Sequence, residues 1–135
     1  MIHLIRTDKD RVYLEHELCI IWSQMEKSIE TLYAEFEENK ESELDIVRTE
    51  LANELYGHSL ESQNGAYKLD MPVGAGKTFA SLRYAIGNCK KFNKLRIIYC
   101  TAYLSVLEQN ASSIKSVVGK EHVLEHHSNI IVRVK

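Results

Sequence analysis

The chain has 135 residues, is 44% hydrophobic and 27% charged, and carries a formal net charge of −2. That length holds one modest domain or part of a larger one, and the balance of apolar and charged residues is that of a folded chain. No apolar run approaches bilayer length and the N-terminus lacks the basic-then-apolar layout of a secretory signal, which predicts a cytoplasmic protein with no membrane partner.

In chain order, apolar residues first recur at helical spacing over 11–38: Leu14, Leu18, Ile21, Trp22, Met25, Ile29, Leu32, Tyr33 and Phe36. Asp10 or Asp8 is the candidate cap, and 37–42 is a polar break. A second helix is expected over 43–56, with Leu44, Val47, Leu51 and Leu55 on one stripe and Gly57 as its stop. Residues 58–65 read as a polar loop. From Ala66 the rhythm changes. Residues 66–70 read as a short strand, 78–92 as a helix carrying Phe79, Leu82, Ala85 and Ile86, and 95–100 as a β-branched strand of the buried parallel kind. A helix over 104–118, with Val106, Leu107, Ile114 and Val117 inward, is ended by Gly119. Short strands are expected at 122–124 and 130–132. This alternation predicts an α/β fold with parallel strands over 64–135, preceded by two helices in a segment spanning 1–63.

Charge divides in the same place. Residues 1–63 hold 6 Lys+Arg against 15 Asp+Glu, and residues 64–135 hold 11 against 4. A basic second half fits a nucleotide and nucleic-acid surface confined to that half, while the acidic first half reads as solvated helical faces. Cys19, Cys89 and Cys100 are widely spaced with no CxxC pair, so they read as free thiols in a reducing compartment.

The strongest chemical signal is Leu69-Asp70-Met71-Pro72-Val73-Gly74-Ala75-Gly76-Lys77-Thr78. A phosphate cradle needs a strand, a small-residue loop and a helix opening on Lys-Thr. Gly74 and Gly76 allow the tight turn and the close approach of backbone N–H groups to phosphate oxygens. Lys77 supplies a point charge near the β- and γ-phosphates, and Thr78 a hydroxyl for Mg²⁺. The following helix aims its dipole at the anion. Met71 holds the place of the usual first glycine, and the pattern becomes Pro-x-Gly-x-Gly-Lys-Thr, a variant of nucleic-acid-dependent ATPases. Pro72, Val73, Gly74, Ala75, Gly76, Lys77, Thr78 and Phe79 are the candidate nucleotide-binding set, with Lys77 and Thr78 the candidate catalytic pair.

Two later segments, Arg96-Ile97-Ile98-Tyr99 through Leu104-Ser105-Val106-Leu107-Glu108-Gln109-Asn110 and Val123-Leu124-Glu125-His126-His127-Ser128-Asn129, follow the loop in order. Together the three resemble the CRISPR-associated helicase–nuclease of type I systems, a superfamily 2 helicase, over about 65–130. The resemblance implies a partial RecA-like lobe, ATP and Mg²⁺ as cofactors, and single-stranded DNA and the CRISPR RNA-guided surveillance complex as partners. It places Ser105, Gln109 and Asn110 near the DNA backbone, where hydroxyl and amide donors suit phosphate contacts. Val73 departs from that family's usual Thr, which predicts a modest loss of nucleotide affinity, and Ala102 stands where Pro is frequent.

Adjacent His126 and His127 point to opposite faces of a strand and do not chelate one ion easily. No His-Asp dipeptide is present for a nuclease centre, and no Asp-Glu dipeptide for the acidic box that holds Mg²⁺ in such motors. The expectation is an ATP-binding fragment, cut off before its catalytic acids and unable to hydrolyse ATP alone. A small P-loop phosphotransferase and a non-catalytic interaction module, docking through the acidic helices, are the alternatives.

Overall fold

The computed structural model describes residues 8–126, with side chains from residue 14 onward. It is all-helical: α1 (Asp8–Glu38), α2 (Glu43–Glu61), α3 (Lys77–Lys91), α4 (Leu104–Val118) and a single 3₁₀ turn (Lys120–His122). Contacts divide it into two compact units, Met1–Ile97 and Ile98–Lys135.

In the first unit α1 buries Trp22, Met25, Ile29 and Tyr33, the three-and-four spacing read from the sequence. α2 starts on a capping box. Ser42 Oγ accepts from the Asp45 N–H at 3.2 Å, while Asp45 Oδ2 accepts from the Ser42 N–H at 3.1 Å. It does not stop at Gly57 as expected but continues to Glu61. An interior glycine costs only about 1 kcal/mol of helix propensity, and Lys91 Nζ covers the far end by donating to the carbonyls of Leu60 and Ser62.

The face of α2 also differs from expectation. Leu44 and Val47 are exposed and Leu51 and Leu55 only half-buried, whereas Thr49, Ala52 and Ser59 are buried. Close approach to α3 is the reason. A Cβ built on Gly87 would lie 2.8 Å from Ser59 Oγ, so the contact selects small side chains rather than leucines. α3 buries Ala80, Leu82, Ile86 and Cys89, with Phe79 and Ala85 only half-buried. Trp22 Nε1 donates to the Lys94 carbonyl at 2.8 Å and ties α1 to the chain leaving α3.

In the second unit α4 matches its predicted bounds and ends at Gly119, whose φ is 92°. Its only buried residue is Ala111. Val106 is exposed, and Leu107, Ile114 and Val117 are half-buried.

The expected parallel sheet and RecA-like α/β fold are not found: no strand occurs among the described residues. Among the described residues, 66–70 and 95–100 join no backbone ladder, every residue of 66–70 is exposed, and Ile98 is 77% exposed. His122 closes the 3₁₀ turn and Leu124 is exposed. A β-branched run expresses a fit to a pleated, half-buried surface, and a strand exists only with a ladder partner. Without one, these runs stay single. The strand expected at 130–132 lies outside the described residues.

Candidate functional site

The phosphate-type loop leads from the unpaired run 66–70 into α3. The Ala75 N–H donates to the Pro72 carbonyl at 3.2 Å, which closes a four-residue turn. Gly74, third in it, has φ 81°, the left-handed value a type II turn demands there. Gly76, the N-cap of α3, has φ 78° and supplies no side-chain cap. α3 therefore begins with backbone donors that no capping side chain satisfies and no acidic residue in its first turn. α2 is the opposite case, with its own capping box and Glu43 and Asp45 in the first turn. The starts of α2 and α3 thus differ: one is closed by its own side chains, the other carries no side-chain cap.

Each predicted loop residue has a definite place. Pro72 and Val73 are exposed, Val73 at 98%, while Ala75 is buried at 2% and anchors the loop beneath. Lys77 is exposed and forms no ion pair with the described residues. Thr78 is half-buried, and its carbonyl accepts from Ser81 Oγ at 3.1 Å. Phe79 is half-buried, with its ring 6.4 Å from that of Phe36. The left-handed glycines, a helix start without a side-chain cap, the Lys77 cation and the Thr78 hydroxyl together are a set that could hold a Mg²⁺-bound polyphosphate.

One residue that sequence reasoning missed braces this loop. Arg48 of α2 donates from Nε to the Gly74 carbonyl at 2.6 Å and from Nη1 to Asp45 Oδ1 at 3.2 Å. Hydrogen bonding from Ser42 holds the Asp45 carboxyl below its ordinary range, with Arg48 adding to the effect. The capping box, Arg48 and the glycine turn thus form one chain of contacts. The Ser42-x-x-Asp45 spacing was the available signal for the cap; nothing local marks a contact across 26 residues.

Arg83 of α3 is 6% exposed and joins all three helices. It forks onto Glu30 of α1 with two bonds of 2.6 Å and donates to Asn53 of α2 at 2.8 Å. Its guanidinium also lies 4.4 Å from the Tyr33 ring and 4.3 Å from the Tyr56 ring. Burial pushes the Tyr33 phenol up to about 12, against a smaller opposing pull from Arg83. The cluster fixes the axis of α3, and with it the direction in which its N-terminus points.

The nucleic-acid candidates sit on α4, in the second unit. Ser105 and Gln109 are both exposed and share a face at i, i+4. Asn110 lies off that face, and its Nδ2 donates to the Tyr99 hydroxyl at 2.7 Å. His126 is exposed; His127, Ser128 and Asn129 lie outside the described residues. No group of three or more His, Cys, Asp or Glu side chains suited to a metal ion occurs among the described residues, and none of their helices is long and apolar enough to cross a membrane. Cys19, Cys89 and Cys100 are free, with Cys89 alone buried and its thiol pushed up by that burial.

Comparison with protein-family models, with curated proteins and with solved structures finds no match to the chain.

Proposed function

We propose that the chain binds ATP with Mg²⁺ through the loop 72–79, as the nucleotide-binding part of an ATP-dependent DNA helicase of CRISPR type I defence. The observation that carries the phosphate half of this reading is the geometry at the start of α3. Gly74 and Gly76 are both left-handed, and the helix opens on uncapped donors beside an exposed Lys77. The helicase half rests on the sequence resemblance, with Ser105 and Gln109 as the DNA-facing pair on α4.

In this reading the amides of Gly74, Gly76, Lys77 and Phe79 receive the phosphate oxygens, Lys77 neutralises their charge, and Thr78 offers its hydroxyl to Mg²⁺. Mg²⁺, held through the Thr78 hydroxyl, would supply charge neutralisation of the terminal phosphates. The residues of the loop bind and orient; none of them is positioned as a general base for water.

Calorimetric titration of the whole chain with Mg·ATP tests the proposal. Saturable binding that Lys77→Ala weakens by at least about tenfold, or about 1.4 kcal/mol, with its unfolding midpoint unchanged, is the expected result. No binding by the wild type, or equal binding by the variant, would refute it. A second reading, a docking module, is favoured by the exposed Leu44, Ile46, Val47 and Leu60 on α2. Self-association or partner binding that ignores nucleotide and is lost in Val47→Glu would select it.

A further inference from the structure

A cavity of about 210 Å³ lies against the loop, between the end of α1, the first half of α2 and the first turn of α3. We propose that it seats the adenine base of the nucleotide whose phosphates the loop holds, an inference that rests on the polyphosphate reading of that loop.

Two features of the cavity argue for this ligand. The first is its wall. Tyr33, Phe36 and Phe79 form a continuous run of rings, Tyr33 edge-on to Phe36 at 5.6 Å and Phe36 tilted against Phe79 at 6.4 Å. Phe36 is 40% exposed, although it continues the stripe that buries Tyr33 and Ile29. A flat aromatic ligand laid on it would complete that burial, and base-on-aromatic stacking is the usual use of such a surface.

The second is the character of the polar rim. Asn39 spends its Nδ2 on the Glu35 carbonyl at 2.8 Å, which leaves Oδ1 as an acceptor. Glu41 at the same rim adds carboxylate acceptors. A rim of acceptors suits the exocyclic amine of adenine and opposes the carbonyl that guanine carries in its place. Asp45 and Arg48 also line the cavity, but they bond to each other at 3.2 Å and Arg48 to the Gly74 carbonyl, while Lys77 stands at the start of α3. With Asp45 and Arg48 engaged with each other, Asn39 and Glu41 are left as the acceptors at the base end and Lys77 as the cation at the phosphate end, an order that matches base and phosphates of a nucleoside triphosphate.

The test compares Mg·ATP with inorganic tripolyphosphate on the full chain by calorimetry. The wild type is expected to bind ATP about tenfold more tightly than tripolyphosphate, the increment of one stacked base. Phe36→Ala removes that preference while leaving tripolyphosphate binding unchanged. Asn39→Ala, at an exposed position that carries no core packing, narrows the preference and makes inosine triphosphate bind as ATP does. Equal affinity of the wild type for ATP and tripolyphosphate, or an undiminished ATP preference in both variants, overturns the base site alone. Failure of the wild type to bind either ligand overturns the phosphate reading, and the base site with it.

Discussion

The two units reach order by different means. In the first, three helices meet on Arg83, a buried cation whose partners Glu30, Asn53, Tyr33 and Tyr56 come from both other helices. In the second, α4 is as amphipathic as α3, yet buries Ala111 and nothing else, and its notable tie is the half-buried pair of Lys115 with Glu125. Apolar periodicity makes a helix but does not give it something to pack on. A polar hub that only one arrangement satisfies can hold three helices in register, provided that every donor finds its acceptor.

The largest effect should come from removing that hub. Arg83→Ala strands the Glu30 carboxylate and deletes two ring contacts, and should cost about 3 kcal/mol in urea unfolding of the first unit. Lys115→Ala in the second unit should cost about 0.5 kcal/mol. Equal costs would erase the contrast. Next in size is the α2–α3 contact. Gly87→Ala forces a methyl to within 2.8 Å of Ser59 Oγ and should destabilise the first unit by about 2 kcal/mol. Gly57→Ala, with nothing within 4 Å, should stabilise α2 by up to about 1 kcal/mol.

The remaining test is a titration. The Tyr33 phenol is raised from 10.0 to about 12 in the folded chain. The unfolded chain therefore loses its proton first, and the stability from burying the neutral phenol is complete below pH 10.0 and is lost as pH rises through about 12. Tyr33→Phe should flatten the decline of stability over that window in denaturant titrations. An unchanged slope would mean that Tyr33 is not buried against the Arg83 cluster.

Much of the helical content was legible because its signals are local. Apolar spacing marked α1, the Lys-Thr opening marked α3, and Gly119 ended α4 where expected. The sheet was misread because Leu95-Arg96-Ile97-Ile98-Tyr99-Cys100 reports only a preference for a pleated surface, while a strand depends on a neighbour that the run itself does not specify. The inward face of α2 was misread for a related reason: hydrophobicity pointed to Leu44 and Val47, but the contact with Gly87 is decided by size and takes Ala52 and Ser59. At the site, the glycine turn could be read from Gly74 and Gly76. The brace from Arg48 could not, since it joins residues that only the packing of α2 brings together.

The central claim is that the open start of α3 is an anion site, and backbone amide NMR of the whole chain tests it most directly. Adding Mg·ATP should move the N–H resonances of Gly74, Gly76, Lys77 and Phe79 most, while those at the self-capped start of α2 stay in place. Shifts that leave these four amides untouched, or that are largest elsewhere in the chain, would contradict it.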